Sequence, residues 1–153
     1  SKVLNYWYCN KYLMPTIGIY ELHTIPIKVP SNPKTFINLV DYLLFLNDKQ
    51  SEQLFPHTSN ERIAAHIEDV LNMLVYELYF EKHIKEVGID VLSMINDKLL
   101  MINEDKTLIN NLPLTIKHFY NWYMQPNNEV RKRIETANEK SPDIISKINL
   151  ATQ

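Results

Sequence analysis

The chain has 153 residues and a net charge of −2, and 45% of its residues are hydrophobic, enough to bury a core without staples and to exclude global disorder. Its two glycines, Gly18 and Gly88, exclude the glycine-rich phosphate loops, and its one cysteine, Cys9, excludes an internal disulfide and a C-x-x-C zinc site. The near-neutral balance argues against strong stand-alone binding of nucleic acid, whose phosphates ask for a basic surplus.

Charge is unevenly placed. Residues 61–110 carry 5 Lys or Arg against 10 Asp or Glu, whereas residues 111–153 carry 6 against 4. The acidic middle is the part least suited to face DNA. There is no signal peptide and no apolar run of membrane-spanning length, so the chain reads as soluble and cytoplasmic. Its opening, Ser1-Lys2-Val3-Leu4-Asn5-Tyr6, reads as a cut inside a longer protein.

Residues 3–14, rich in aromatics, read as a short helix ending before Pro15. Residues 16–29 read as extended, with Ile17, Ile19, Ile25, Ile27 and Val29 β-branched. Pro26 and Pro30 confine that stretch to an edge strand or an extended crossing. Ser31-Asn32-Pro33 opens a helix with Phe36, Leu39, Val40, Leu43, Leu44 and Leu46 at helical spacing. Asn47–Asn60 is a polar loop. Asn60 then caps a longer helix striped by Ile63, Ile67, Val70, Leu71, Leu74, Val75 and Leu78. The two helices make an antiparallel hairpin, which must dock on something further.

Gly88 stops the helical run. Val91–Ile102 is another short helix, and Asn103-Glu104-Asp105-Lys106 is a turn. Thr115–Met124 is helical and aromatic, Asn128 caps Glu129–Asn138, and Ser141-Pro142-Asp143 is a helix start. The fold class is therefore mainly α, with a small extended or β part near the front. Residues 1–30, 31–89 and 90–153 form an entry stretch, a helical hairpin and a C-terminal helical extension.

Few residues carry chemistry. Glu104-Asp105-Lys106, with Asp97 or Asp90 upstream, matches the Asp…Glu-x-Lys pattern in which two carboxylates hold Mg²⁺ and a lysine activates water. It lies at a helix end, where a solvated turn explains it as well. The histidines, His23, His57, His66, His83 and His118, show no i, i+4 metal spacing, although His66 and Asp69 share a helix face. Cys9 reads as a small buried hydrophobe. Lys2, Lys11, Tyr12 and Lys28 mix lysines with aromatics in the manner of a nucleic-acid surface. Arg131-Lys132-Arg133 points around a helix and reads as a solvated face. Val75, Tyr76, Leu78 and Tyr79 end the long stripe and are candidates for an interface with a partner.

Four stretches, in order, carry a family resemblance, and the tail Asn128–Ile148 is similar to extensions seen in some members. Ser1-Lys2-Val3-Leu4-Asn5-Tyr6-Trp7-Tyr8 resembles "NSKLLNFWF", and Leu22-His23-Thr24-Ile25-Pro26-Ile27-Lys28 resembles "L..IPIp". Phe36–Leu46 resembles "ivelVd.iL.l", and Ile67–Tyr79 resembles "iE..id.lVYeLY". The set is similar to the C-terminal specificity region, of the TaqI type, in Type IIG restriction–modification enzymes and their adenine-methyltransferase relatives. The family continues with "gLteeEi" after "YeLY"; Phe80-Glu81-Lys82-His83-Ile84-Lys85-Glu86 keeps only its general character.

The resemblance implies a bacterial parent that moves a methyl group from S-adenosylmethionine to adenine N6 on double-stranded DNA. Where the parent also cuts, Mg²⁺ is implied as well. The N-P-P-[YF] loop and the S-adenosylmethionine glycine motif are absent here, so no catalytic residue carries over and the fragment itself holds no cofactor. The expected role is a non-catalytic DNA-specificity or bracing piece, residues 1–30 being the end of a target-recognition domain, that partners upstream methyltransferase and recognition domains and no membrane. The alternative is a stand-alone helical protein–protein interaction module. An exposed helix stripe also suits a homodimer of the isolated fragment.

Overall fold

The computed structural model describes residues 1–11, 26–108 and 111–152. Among the described residues there are nine α-helices, one π-helical turn and no strand beyond an isolated bridge between Phe55 and Thr58. The mainly α class expected from the sequence holds.

Helix α1 spans Lys2–Lys11 and buries Val3 and Tyr8. Residues 12–25, where most of the extended segment was expected, lie outside the described residues. Its remainder, Pro26–Pro30, forms neither helix nor strand. The reason is local. Prolines at both ends lack a ladder N–H, and the Lys28 amide donates to the Tyr79 phenol at 3.1 Å.

Helix α2, Pro33–Asn47, starts as its sequence dictates. The Asn32 side chain accepts from the Lys34 amide, and Pro33 occupies the first helical position. Thr35, Leu39, Tyr42 and Leu46 form its buried stripe. Helix α3, Asn60–Tyr79, packs along α2 through the loop 48–59. Its cap is Ser59, not Asn60: the Ser59 hydroxyl accepts from the Arg62 amide. The Asn60 side chain instead ties the loop, accepting from Leu54 N at 3.2 Å and donating to Glu52 O at 2.9 Å.

Helix α4, Glu81–Glu86, ends at Gly88, whose φ of 68° lies in the left-handed region. Gly88 N–H bonds the Lys85 carbonyl and Ile89 N–H the Ile84 carbonyl, the Schellman arrangement, with Ile84 and Ile89 fully buried together. Helix α5, Leu92–Glu104, has no cap of its own. The Glu77 carboxylate supplies it from α3, accepting from Val91 N at 2.7 Å and Leu92 N at 2.9 Å. Glu77 is 6% exposed. The glutamate inside Val75-Tyr76-Glu77-Leu78-Tyr79 therefore fixes the next helix start.

Helix α6, Leu112–Tyr123, is capped by the Asn111 side chain. Phe119 on α6 meets Tyr42 of α2 edge-on at 5.8 Å and Trp122 at 5.5 Å. Helix α7, Glu129–Glu135, is capped by the buried Asn128, but it stops short of the expected Asn138. Thr136 breaks it, and α8, Ala137–Lys140, follows. Ser141-Pro142-Asp143 opens a π-helical turn, Pro142–Ser146, before α9, Lys147–Ala151. The fully buried Ser141 hydroxyl accepts from Ile145 N and lies 2.8 Å from His83 Nε2 on α4.

One buried cluster runs from Val3 through the hairpin to Ile148. Helix α1 packs against both α3 and α9, so the two ends of the described chain meet beside the long helix. No helix among the described residues is long and apolar enough to cross a membrane.

Candidate functional site

Helix α3 turns two faces to the rest of the molecule. One packs on α2. The other carries Arg62, His66, Asp69, Asn72, Met73 and Tyr76, at spacings of three and four residues. Opposite them stand Tyr123 from α6, Arg131 and Glu135 from α7, Asn149 from α9 and Lys2 from α1. Between them lies a polar cleft of about 480 Å³, within the range of small-molecule sites.

At one end of the cleft a half-buried network joins the two ends of the described chain. Asn149 Oδ1 accepts from the Tyr76 hydroxyl at 2.8 Å and from Lys2 Nζ at 3.2 Å. Its amide donates to Asn138 Oδ1 at 2.8 Å. At the other end His66 lies against the Tyr120 ring at 5.8 Å and the Tyr123 ring at 5.9 Å. His66 Nδ1 is 3.2 Å from the Tyr120 hydroxyl. Arg131 Nε donates to Glu135 at 2.8 Å.

Burial sets the protonation states. It pushes the His66 imidazole below its ordinary value, against the opposing pull of Asp69. It lifts the Asp69 carboxyl, with Lys2 and His66 pulling the other way. The phenols of Tyr76 and Tyr123 are pushed up to about 12 by burial. In the unfolded chain both ionise near pH 10. Their contribution to stability is complete below that pH and is lost as pH rises through the folded value. Urea unfolding from about pH 9 to about pH 12 should give a flat profile and then a decline. Tyr123→Phe should make the decline shallower.

The lysines suggested for nucleic acid are not gathered on one surface. Lys2 is half-buried and bonded to Asn149. Lys11 is exposed, with its ammonium 4.6 Å above the Trp7 ring. Tyr12 lies outside the described residues. Lys28 directs its ammonium at the last carbonyls of α3, 3.3 Å from Leu78 O and 3.4 Å from Tyr79 O, a favourable end for a cation.

Of the interface candidates, Tyr76 is buried, while Val75, Leu78 and Tyr79 are half-buried. The Tyr79 hydroxyl donates to Pro26 O at 2.6 Å while it accepts from Lys28 N, so it grips the segment entering the hairpin.

Asp97, Glu104 and Lys106 stand exposed on α5 and the turn after it. Asp105 is spent on Thr107, whose hydroxyl and amide hold its carboxyl below the usual range. No three potential metal ligands cluster among the described residues. Cys9 is exposed rather than buried, because it sits on the outer face of α1, its thiol 3.5 Å from Asn5 Oδ1. Lys132 is exposed, while Arg131 and Arg133 are each paired with a carboxylate. Arg133 bonds Asp90 at 3.1 Å and Glu129 at 3.1 Å, tying α7 to the start of α5. Sequence reasoning missed this pairing because Asp90 lies 43 positions away. No family model, no curated protein and no solved structure matches the chain.

Proposed function

We propose that this chain is the C-terminal, non-catalytic part of a bacterial restriction–modification enzyme, and that it braces the recognition structure rather than reading DNA. The parent reaction would be methyl transfer from S-adenosylmethionine to adenine N6, joined by Mg²⁺-dependent cleavage where the parent also cuts. The support is the ordered resemblance together with one contact. Tyr79, the last residue of the Val75–Tyr79 motif, holds the backbone of Pro26 and Lys28, the end of the Ile25-Pro26-Ile27-Lys28 motif. Two stretches that resemble the family separately are thus joined by two hydrogen bonds from one phenol. A tyrosine so placed fixes the direction in which the preceding chain enters the hairpin.

Bracing is favoured over reading by the lysines. Lys2 and Lys28 each direct the ammonium to acceptors inside the chain, and a phosphate would compete with those bonds. The outer stripe of α2, with Ile37 at 54% and Leu44 at 67% exposure, is where upstream parts of the parent or a second copy would rest.

Binding of this chain to mixed-sequence duplex DNA across a salt series tests the reading. Each neutralised phosphate contributes about −0.9 to the slope of log affinity against log salt. Bracing predicts weak binding with a slope of roughly −1 to −2. A slope near −6, from some six or more phosphates, would make this piece a reader of DNA instead.

A further inference from the structure

We infer that the open end of the cleft is a binding site for a phosphate oxyanion, held by Arg62, His66 and Tyr123. Three observations converge there. Among the described residues the Arg62 guanidinium has no ion-pair or hydrogen-bond partner, whereas Arg131 and Arg133 each have a carboxylate. Tyr123 is only 4% exposed, lines the cleft, and its hydroxyl bonds to no other group of the described chain. The hydroxyl oxygen itself is not sealed off, so a ligand in the cleft can reach it. His66 is the third. Its Nδ1 lies 3.2 Å from the Tyr120 hydroxyl; where that hydroxyl donates, Nε2 carries the ring hydrogen, and Nε2 has no partner among the described residues.

The open end thus presents three donors and has used none of them. Its acceptors are fewer. Glu135 is occupied by Arg131, and Asp69, which faces His66 and Tyr123, is offset by Lys2. Three cations stand against two carboxylates, Lys2, Arg62 and Arg131 against Asp69 and Glu135. A surplus of donors and of positive charge selects an oxyanion. Arginine favours phosphate through its two-pronged geometry. The volume of about 480 Å³ leaves room for a group the size of a nucleoside beyond the phosphate. The phosphate belongs either to a small molecule or to a nucleic-acid backbone. The site does not depend on the bracing role.

The test is titration calorimetry of the 153-residue chain with inorganic phosphate, with thymidine monophosphate and with a short mixed-sequence duplex. Wild-type protein and the Arg62→Gln and Tyr123→Phe variants are compared. Phosphate should bind the wild type, and Arg62→Gln should weaken it by about tenfold or more, the loss of a charge-assisted hydrogen bond. Tyr123→Phe should weaken it several-fold with no loss of thermal stability, since its hydroxyl donates to nothing within the fold. Tighter binding of the mononucleotide, undisturbed by duplex, assigns the phosphate to a small molecule. Displacement of phosphate by duplex assigns it to a backbone. Absence of binding by all three probes overturns the site, as does binding that neither substitution changes.

Discussion

Replacing Glu77 with Ala should lower the unfolding free energy by about 3 kcal/mol, and the melting temperature by roughly 10 °C. Val91 is fully buried, and its amide and that of Leu92 are among the first donors of α5. Such groups have no partner within their own helix. One oxygen of Glu77 accepts both, and its negative charge sits where the helix dipole favours it. Alanine leaves two donors facing apolar side chains, and each unsatisfied donor costs about 1–3 kcal/mol. Glu77→Gln keeps an accepting oxygen and loses only the charge, so it should cost about 1 kcal/mol. Glu68 on the same helix is exposed, and Glu68→Ala should stay within about 0.5 kcal/mol. Chemical denaturation of the three variants checks the order. Equal values for Glu77→Ala and Glu68→Ala would mean that the carboxylate does not cap α5.

Phe119→Ala should cost about 4 kcal/mol, the largest single loss expected in the core. Phe119 is 1% exposed and packs α6 on helix α2 of the hairpin, edge-on to Tyr42. Its removal leaves a cavity that the neighbouring rings of Tyr42 and Trp122 cannot fill without leaving their rotamers. Phe119→Leu retains most of the volume and should cost roughly 1 kcal/mol. Urea unfolding with an unchanged m-value would confirm a purely native-state effect. A loss below about 1 kcal/mol for the alanine variant would show that α6 contributes little to the core.

The helix starts were legible because capping chemistry is local. Asn32-Pro33 and Asn128 each name a start within two or three residues, and the structure uses them so. Gly88 was legible for the same reason, since a left-handed residue after a helix asks for glycine. Ser59 and Asn60 were harder. Both are good caps, and the choice between them was made by the loop, which needed Asn60 to hold Leu54 and Glu52.

Glu77 left a signal in the register. It lies at the next position of the stripe through Ile63, Ile67, Val70 and Leu74, where an apolar residue belongs. A charge on a buried stripe implies a partner, but the sequence does not say that the partner is the backbone of the next helix. The cleft was least legible. His66 and Asp69 were visible as neighbours on one helix face. Tyr123, Arg131, Asn149 and Lys2 reach the same space from four other helices. Spacing along a sequence carries no information about such meetings.

The reading frame upstream of Ser1 tests the proposed adenine-methyltransferase parent most directly. Such a parent requires an in-frame Asn-Pro-Pro followed by Tyr or Phe, preceded by a glycine-containing motif for S-adenosylmethionine. A start codon immediately before Ser1, with no such motif in frame, would contradict it.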